Sequence, residues 1–430
     1  MTKTRTGRRR DQAPTLSPGT VTVQMPLPMF ALMNGIGDDF HALCIDAGRQ
    51  VLGAMMEHDR TALCGPKWKP RPEREAVRGG STRSLVVLGG RQIEMKRPRL
   101  RTLEGQEWEL PSFRWAADED PLDRRTMGAI ASGVATRKYR RVLDPLPGDE
   151  REVSVSRSSV SRRFVAESAE VVATYLQRPL GELDLRAIAI DGIVFRDHTI
   201  LIALGVTSSG EKVILGVHEG TTENAGVVKA LLRDLIERGL GTERLILFLI
   251  DGSKALRSAI TGLFGKLALI QRCQVHKERN VLEHLPEELR AGTRRAMRDA
   301  YASTNPALAL KQLERLANSL ERDHPGAAAS LSEGLAETLT LTTLGVTGAL
   351  YRCLRSTNLI ESLNGQVAHF THNVRRWRDG EMIVRWVATA VREAEKNFRR
   401  LKGHKDMPRL VAALDAHQQS SQLDMKKKVA

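Results

Sequence analysis

Two apolar runs in this chain end in the same way. Leu185–Ile190 (LRAIAI) leads into Asp191-Gly192, and Leu245–Ile250 (LILFLI) leads into Asp251-Gly252. Short apolar runs stopped by turn chemistry read as strands buried on both faces, and such strands lie in sheets covered by helices on each side. Thr199–Val206 (TILIALGV) and Lys212–Val217 (KVILGV) read as two more strands, with Gly210 as the turn between them. Asn224–Arg238 has the spacing of an amphipathic helix stopped by Gly239. Lys254–Phe264 is a second helix, and Leu267–Gln271 a fifth short strand. The order β-β-β-α-β-α-β predicts an α/β core.

The shared ending carries the chemistry. An acidic group directly after a buried strand is exposed at the carboxyl edge of the sheet, where ligands bind in open α/β folds. Two carboxylates on neighbouring strands repel unless a cation lies between them, and carboxylates suit Mg²⁺ or Mn²⁺. A third carboxylate from a helix completes a site for two ions. Glu361, within Ser356–Asn364 (STNLIESLN), is the candidate. A single Asp-Gly after a strand is commonly only a turn; the repeated setting favours a site.

Charge points to the partner. The chain holds 66 Lys+Arg against 51 Asp+Glu, a net +15, and nucleic acid is the commonest polyanion for such a surplus. Lys3, Arg5, Arg8, Arg9 and Arg10 fall in the first ten residues without an acidic one, Arg97, Arg99 and Arg101 alternate, and residues 351–402 carry eleven basic against five acidic groups. Met127–Leu143 reads as a helix bearing Arg140 and Arg141. After a Pro/Gly break, a second helix begins near Ser154 with Arg157, Arg162 and Arg163. The pair reads as a helix-turn-helix, in which hydroxyls and guanidinia suit phosphates and the major groove. Ahead of this pair, a hairpin is predicted from Ser84–Leu88 and Gln92–Lys96 around Gly89-Gly90.

Other classes are disfavoured. No apolar run approaches the ~20 residues of a membrane span. The charged N-terminus has no apolar run behind it, so a secretory signal is not expected. Four cysteines (44, 64, 273 and 353) cannot staple a chain of 430 residues, which suits the reducing cytoplasm.

The segments IDGIVFRDH, GTTENA, LFLIDGSKALR, QRCQVHKERNV, STNLIESLN and NVRRWRDG, in that order and spacing, resemble the mutator-type bacterial insertion-sequence transposases. The resemblance covers about residues 120–402 and is dense from 185 onward; six motifs in order make it specific. It implies a ribonuclease-H-like catalytic core with an Asp-Asp-Glu triad, interrupted by an all-helical insertion ahead of the glutamate helix. Carried onto this chain the triad is Asp191, Asp251 and Glu361, with Asp191 bridging two ions and the other two holding one each. The implied activity is binding of terminal inverted repeats, strand cleavage and transfer of 3′-hydroxyl ends by two-metal phosphoryl transfer to target DNA. Mg²⁺ is the implied cofactor, with Mn²⁺ as a substitute. A homodimer on paired ends of double-stranded DNA and a copy-out, paste-in route through a circular intermediate are implied as well. A related nuclease or integrase would share the core, and an inactive DNA-binding derivative would lack a carboxylate; all three are present here.

The expected organisation is a basic arm (1–24), a small N-terminal module (25–108) and a helical helix-turn-helix region (109–180). The core follows in two parts (181–275 and 351–402) around the all-helical insertion (276–350), ahead of a polar basic tail (403–430). Cys273-x2-His276 is a further family feature. Two soft ligands at that spacing suit zinc, but only Cys353 and scattered histidines stand ready to complete such a site, so a packing or DNA-orienting role is favoured over structural zinc. Where such transposases often carry Lys or Arg seven residues past the glutamate, this chain has Ala368; Arg375 and Arg376, two turns on, are candidates for the missing phosphate contact. Trp377 and Trp386 read as core residues rather than base-stacking ones.

Overall fold

The computed structural model describes residues 38–69, 71–88, 91–118, 157–220 and 224–429. The chain falls into two compact units, residues 1–164 and 165–430. The arm (1–24) and the helix predicted over Met127–Leu143, with Arg140 and Arg141, lie outside the described residues.

In the first unit, α1 (Asp38–Cys64) precedes β1 (Ala76–Leu88), β2 (Arg91–Thr102), the short β3 (Glu107–Trp108) and α2 (Pro111–Asp118). β1 and β2 pair antiparallel from Leu88↔Arg91 to Ala76↔Thr102, with an irregularity between Arg78 and Ser81. The predicted hairpin is present, but its strands, of 13 and 12 residues, are more than twice as long as their apolar residues suggest. Charge pairing carries the polar ends: Arg97 and Arg99 of β2 reach Glu107 of β3 at 3.0 and 3.1 Å. Ile45, Leu52 and Met56 of α1 pack on Val86, Leu88, Ile93 and Leu100.

In the second unit the sequence order is the expected one: β4 (Leu185–Phe195), β5 (His198–Thr207), β6 (Lys212–Gly220), α4 (Ala225–Glu237), β7 (Ile246–Ile250), α5 (Lys254–Phe264) and β8 (Ala268–Arg272). It is preceded by a helix, α3 (Arg157–Thr174); the predicted start near Ser154 lies outside the described residues. The sheet order is β6-β5-β4-β7-β8; the first three strands are antiparallel, and β7 is parallel to both β4 and β8. Gly210 turns β5 into β6 with φ +80°, a conformation that suits glycine because it has no Cβ. Asn224 caps α4 by accepting the N–H groups of Gly226 and Val227.

Successive side chains alternate between two cores, as the period of a strand requires. Ile188, Ile190, Phe248 and Ile250 face α4 and α5, meeting Leu231, Leu235, Leu256 and Ile260. Ala187, Ala189, Leu247 and Leu249 face the other way, into a cluster built from later parts of the chain.

Those later parts are helical. They are α6 (Gln274–Glu283), α7 (Glu287–Ala302), α8 (Pro306–Glu321), α9 (Pro325–Ser332), α10 (Thr340–Thr343), α11 (Gly348–Leu354), α12 (Asn358–Thr371), α13 (Gly380–Glu395) and α14 (Met407–Val429). α6–α9 share an apolar cluster of their own, with Val281, Met297, Leu313 and Leu331. From Leu341 onward the side chains return to the sheet: Leu341, Val346 and Leu350 join the cluster beneath Ala187 and Leu247. The edge strand β8 is tied to this return, because Gln271 Nε2 donates to Thr338 O and its Oε1 accepts from Leu341 N, at 2.9 and 3.0 Å.

One expectation is corrected. Residues 403–430 do not form a polar tail: α14 occupies most of them, and its Met407, Leu410 and Leu414 are fully buried in the core. Their three- and four-residue spacing makes one buried stripe along the helix. Among the described residues no helix is long and apolar enough to cross a membrane.

Candidate active site

β4 does not stop at Ile190, where the sequence reading ends it. It runs on to Phe195, because its antiparallel ladder with β5 continues through Asp191↔Ile202 to Phe195↔His198. The edge forms on the other side only, where the parallel neighbour β7 ends at Ile250. Continuing the register Ala189↔Leu249 by two residues sets Asp191 level with Asp251. The two aspartates therefore sit side by side at the carboxyl end of β7.

Local hydrogen bonds hold both. Asp191 Oδ1 accepts from Gly192 N at 3.0 Å. Asp251 Oδ1 accepts from Ser253 N at 2.8 Å, and Ser253 in turn caps α5 by accepting from Leu256 N.

Glu361 lies in the first turn of α12, where its Oε1 accepts a hydrogen bond from Thr357 Oγ1 at 2.5 Å. Three residues further along the same helix face, Asn364 Nδ2 donates to Asp191 Oδ2 at 2.7 Å. Asn364 Oδ1 is buried without a hydrogen-bond partner. Burial pushes the Asp191 carboxyl up to about 6; the Gly192 N–H opposes this, and the charges of Asp251 and Glu361 add to it.

Cys273 and His276 border the same place. Cys273 N donates to Ile250 O, the last carbonyl of β7, at 2.8 Å. Its sulfur accepts N–H groups from His276 and Thr357, each at 3.4 Å, so it caps α6 and holds the start of α12 together. Burial pushes the thiol up, but these hydrogen bonds outweigh it and hold it below its ordinary value. His276 is raised by its hydrogen bond with Cys273, against burial, with help from Glu361 and Asp251. His276 Nδ1 lies 3.8 Å from Glu361 Oε1, and the donor atoms of Cys273, His276 and Glu361 fall within 4.8 Å of one another. Cys353 is not part of this group.

Sequence reasoning named the three carboxylates and passed over Thr357 and Asn364. Their signal was present in STNLIESLN: four before and three after Glu361 place them on its helix face.

The DNA-facing candidates scatter more widely. Arg157, Arg162 and Arg163 all belong to α3, and Arg162 is exposed. Arg375 and Arg376 are exposed, but α12 ends at Thr371, so they stand on the loop after the Glu361 helix rather than on its face. The carbonyl of Arg375 accepts from Arg196 at 3.4 Å. Ala368 is exposed on α12. Trp377 packs edge-on against Phe195 and Trp386, with ring centroids 5.1 and 6.4 Å apart, and belongs to the core.

Residues 33–401 match the family described as Transposase, Mutator family. The transposase for insertion sequence element IS256 in transposon Tn4001 of Staphylococcus aureus is 30% identical over 334 residues, which is 74% of this chain and 81% of that protein. The transposase for IS1081 of Mycobacterium tuberculosis is 27% identical over 379 residues, covering 84% of this chain and 88% of the relative. The transposase for ISRM5 of Rhizobium meliloti is 26% identical over 355 residues, 81% and 86% of the two chains. With a match that spans most of its length, the chain belongs to the Mutator family of transposases.

Proposed function

We propose that this chain is the transposase of a bacterial insertion sequence, which binds the terminal inverted repeats of its element, cleaves strands there and transfers the 3′-hydroxyl ends to target DNA. The observation that carries this reading is the bond between Asn364 and Asp191, which ties the helix of Glu361 to the strand beside Asp251. The order of three antiparallel and two parallel strands supports a ribonuclease-H-like core with the helical insertion between β8 and α12. We assign end recognition to the helix-turn-helix region ahead of the core, with Arg162 and its neighbours on α3.

The residues fit hard divalent cations. Three carboxylates converge, two of them raising the proton affinity of Asp191, and the partnerless oxygen of Asn364 beside Asp191 suits a donor such as a cation's water. Bound there, Mg²⁺ or Mn²⁺ would activate the attacking hydroxyl and stabilise the leaving oxygen. Asp191, Asp251 and Glu361 would be the ligands. Thr357 holds the Glu361 carboxylate in place, and Asn364 orients that of Asp191. Cys273 keeps the starts of α6 and α12 in register, which favours its packing role over structural zinc.

The reading extends to a homodimer joining paired ends in the cytoplasm, through a copy-out, paste-in route with a circular intermediate. It is tested by incubating the full chain with a labelled oligonucleotide of the repeat that flanks its coding sequence, together with plasmid and Mg²⁺ or Mn²⁺. Label joined to plasmid is the expected result; cutting without joining would leave a nuclease.

A further inference from the structure

The first unit throws a tryptophan into solvent on a strained turn. Between α1 and β1 the chain turns over Pro66–Lys69, closed by Lys69 N donating to Pro66 O at 3.1 Å. Trp68 is the third residue of the turn and has φ +68°. A positive φ at that position selects glycine or asparagine, and a bulky side chain there is strained. No packing offsets the strain, since Trp68 is 87% exposed.

The root of the turn is held firmly. Arg78 donates to Gly65 O through Nε and Nη2 at 3.0 and 2.9 Å, reaches Thr61 Oγ1 at 2.8 Å and pairs with Glu57 at 2.6 Å. The indole is therefore presented on a fixed base. Around it the surface is cationic. Lys67, with its ammonium 5.3 Å from the indole centroid, Lys69 and Arg71 are exposed, and Arg74 is half-buried beside them. None of the four has an ion-pair partner among the described residues. A recess of about 420 Å³ opens next to the indole, between Lys67, Arg74 and Arg78.

We propose that this turn is a contact for DNA at an accessible base face, with Trp68 stacked on the base and Lys67, Lys69, Arg71 and Arg74 taking the flanking phosphates. An indole stacks on any base whose face is free, while cations alongside follow the backbone. Inside a duplex both faces of each base are covered, and at a blunt end the terminal base stays held in its pair, so the partner is a single-stranded overhang, a gap or an unpaired nucleotide. The inference rests on the DNA-acting reading above and adds a preference that no carboxylate supplies.

The test compares binding of the full chain, by fluorescence anisotropy, to a blunt duplex and to the same duplex bearing a single-stranded overhang. Trp68→Ala and Trp68→Gly should each lose about 5- to 100-fold in affinity for the overhang DNA, while blunt-duplex binding changes less than about twofold. Trp68→Phe should keep most of the overhang affinity. Trp68→Gly relieves the positive φ and should melt no lower than the wild type, which separates loss of contact from loss of fold. Unchanged overhang binding in Trp68→Ala overturns the inference, as does an equal loss on both DNAs. Joining is measured on the same preparations. A wild type that fails to join sinks the transposase reading and leaves the binding result standing; a wild type that joins, beside a Trp68→Ala with full overhang affinity, sinks the turn alone.

Discussion

Asn364 reaches from α12 to β4 and places its amide nitrogen 2.7 Å from Asp191 Oδ2, across 173 residues of chain. The contact joins a helix that follows the whole α6–α11 segment to the central strand of the sheet. Its worth lies in geometry: Glu361 is one turn away on the same helix, so the bond that orients Asp191 also sets the distance between two carboxylates. Outer hydrogen bonds of this kind are what keep metal-binding groups in a single arrangement.

Amide substitution of the carboxylates should separate chemistry from folding. Asp191→Asn, Asp251→Asn and Glu361→Gln each keep side-chain shape and remove the charge. We expect joining to fall to the level of a reaction without protein, with end binding and thermal melting retained. Joining at the wild-type rate by any one of them would end the triad assignment.

Asn364→Ala should lower joining by about 10- to 100-fold, the usual scale for loss of a group that orients a metal ligand. The melting temperature should move little, because the residue is only half-buried and its oxygen already lacks a partner. A variant as active as the wild type would show that Asp191 is oriented without it.

DNA binding should weaken steeply with salt, since cations that neutralise phosphates release counterions. Arg162→Ala combined with Arg163→Ala should reduce affinity for the repeat end more than for random duplex. Equal losses on both would mean that these arginines touch only the backbone and do not read bases.

Lys277 supplies a pH signature. Its ammonium is buried and donates to Ser330 O and Glu333 O at 2.5 and 2.7 Å; burial first, then Arg272, lowers it to about 8. A lysine lowered in the folded state destabilises the fold in full below about pH 8, where both states carry the proton. That cost disappears as pH rises from about 8 toward the unfolded value near 10.4. Measured against Lys277→Met, the wild type should therefore gain about 2–4 kcal/mol over that window. A difference that stays flat in urea melts across the window would contradict the lowered value.

The C-terminal helix should prove part of the core. Leu410→Ala and Leu414→Ala each empty a fully buried site and should cost about 2–5 kcal/mol in urea unfolding. Ending the chain at Gly403 should expose the underside of Leu247 and Leu350 and prevent stable folding. Were the truncated chain as stable as the full one, α14 would be an appendage.

Much of the fold was legible because its signals are local. Apolar runs, turn glycines and capping residues depend on neighbours a few positions away, so the order β4-β5-β6-α4-β7-α5-β8 and the helix of Glu361 could be read directly. The carboxylates were legible for the same reason: Asp191 and Asp251 repeat one motif, and STNLIESLN completed it. The tail was misread because three apolar residues, Met407, Leu410 and Leu414, are diluted by polar ones on the remaining face of α14.

What the sequence by itself determined is thus which segments become strands and helices and which side chains carry charge beside them. The tertiary structure alone decided that β4 passes through Asp191, because strand length depends on the ladder a partner such as β5 offers, and not on the strand's own apolarity. It alone set Asp191 level with Asp251 and brought Asn364 to them, because register between distant segments is chosen by how whole faces pack, a property that no local window of residues contains.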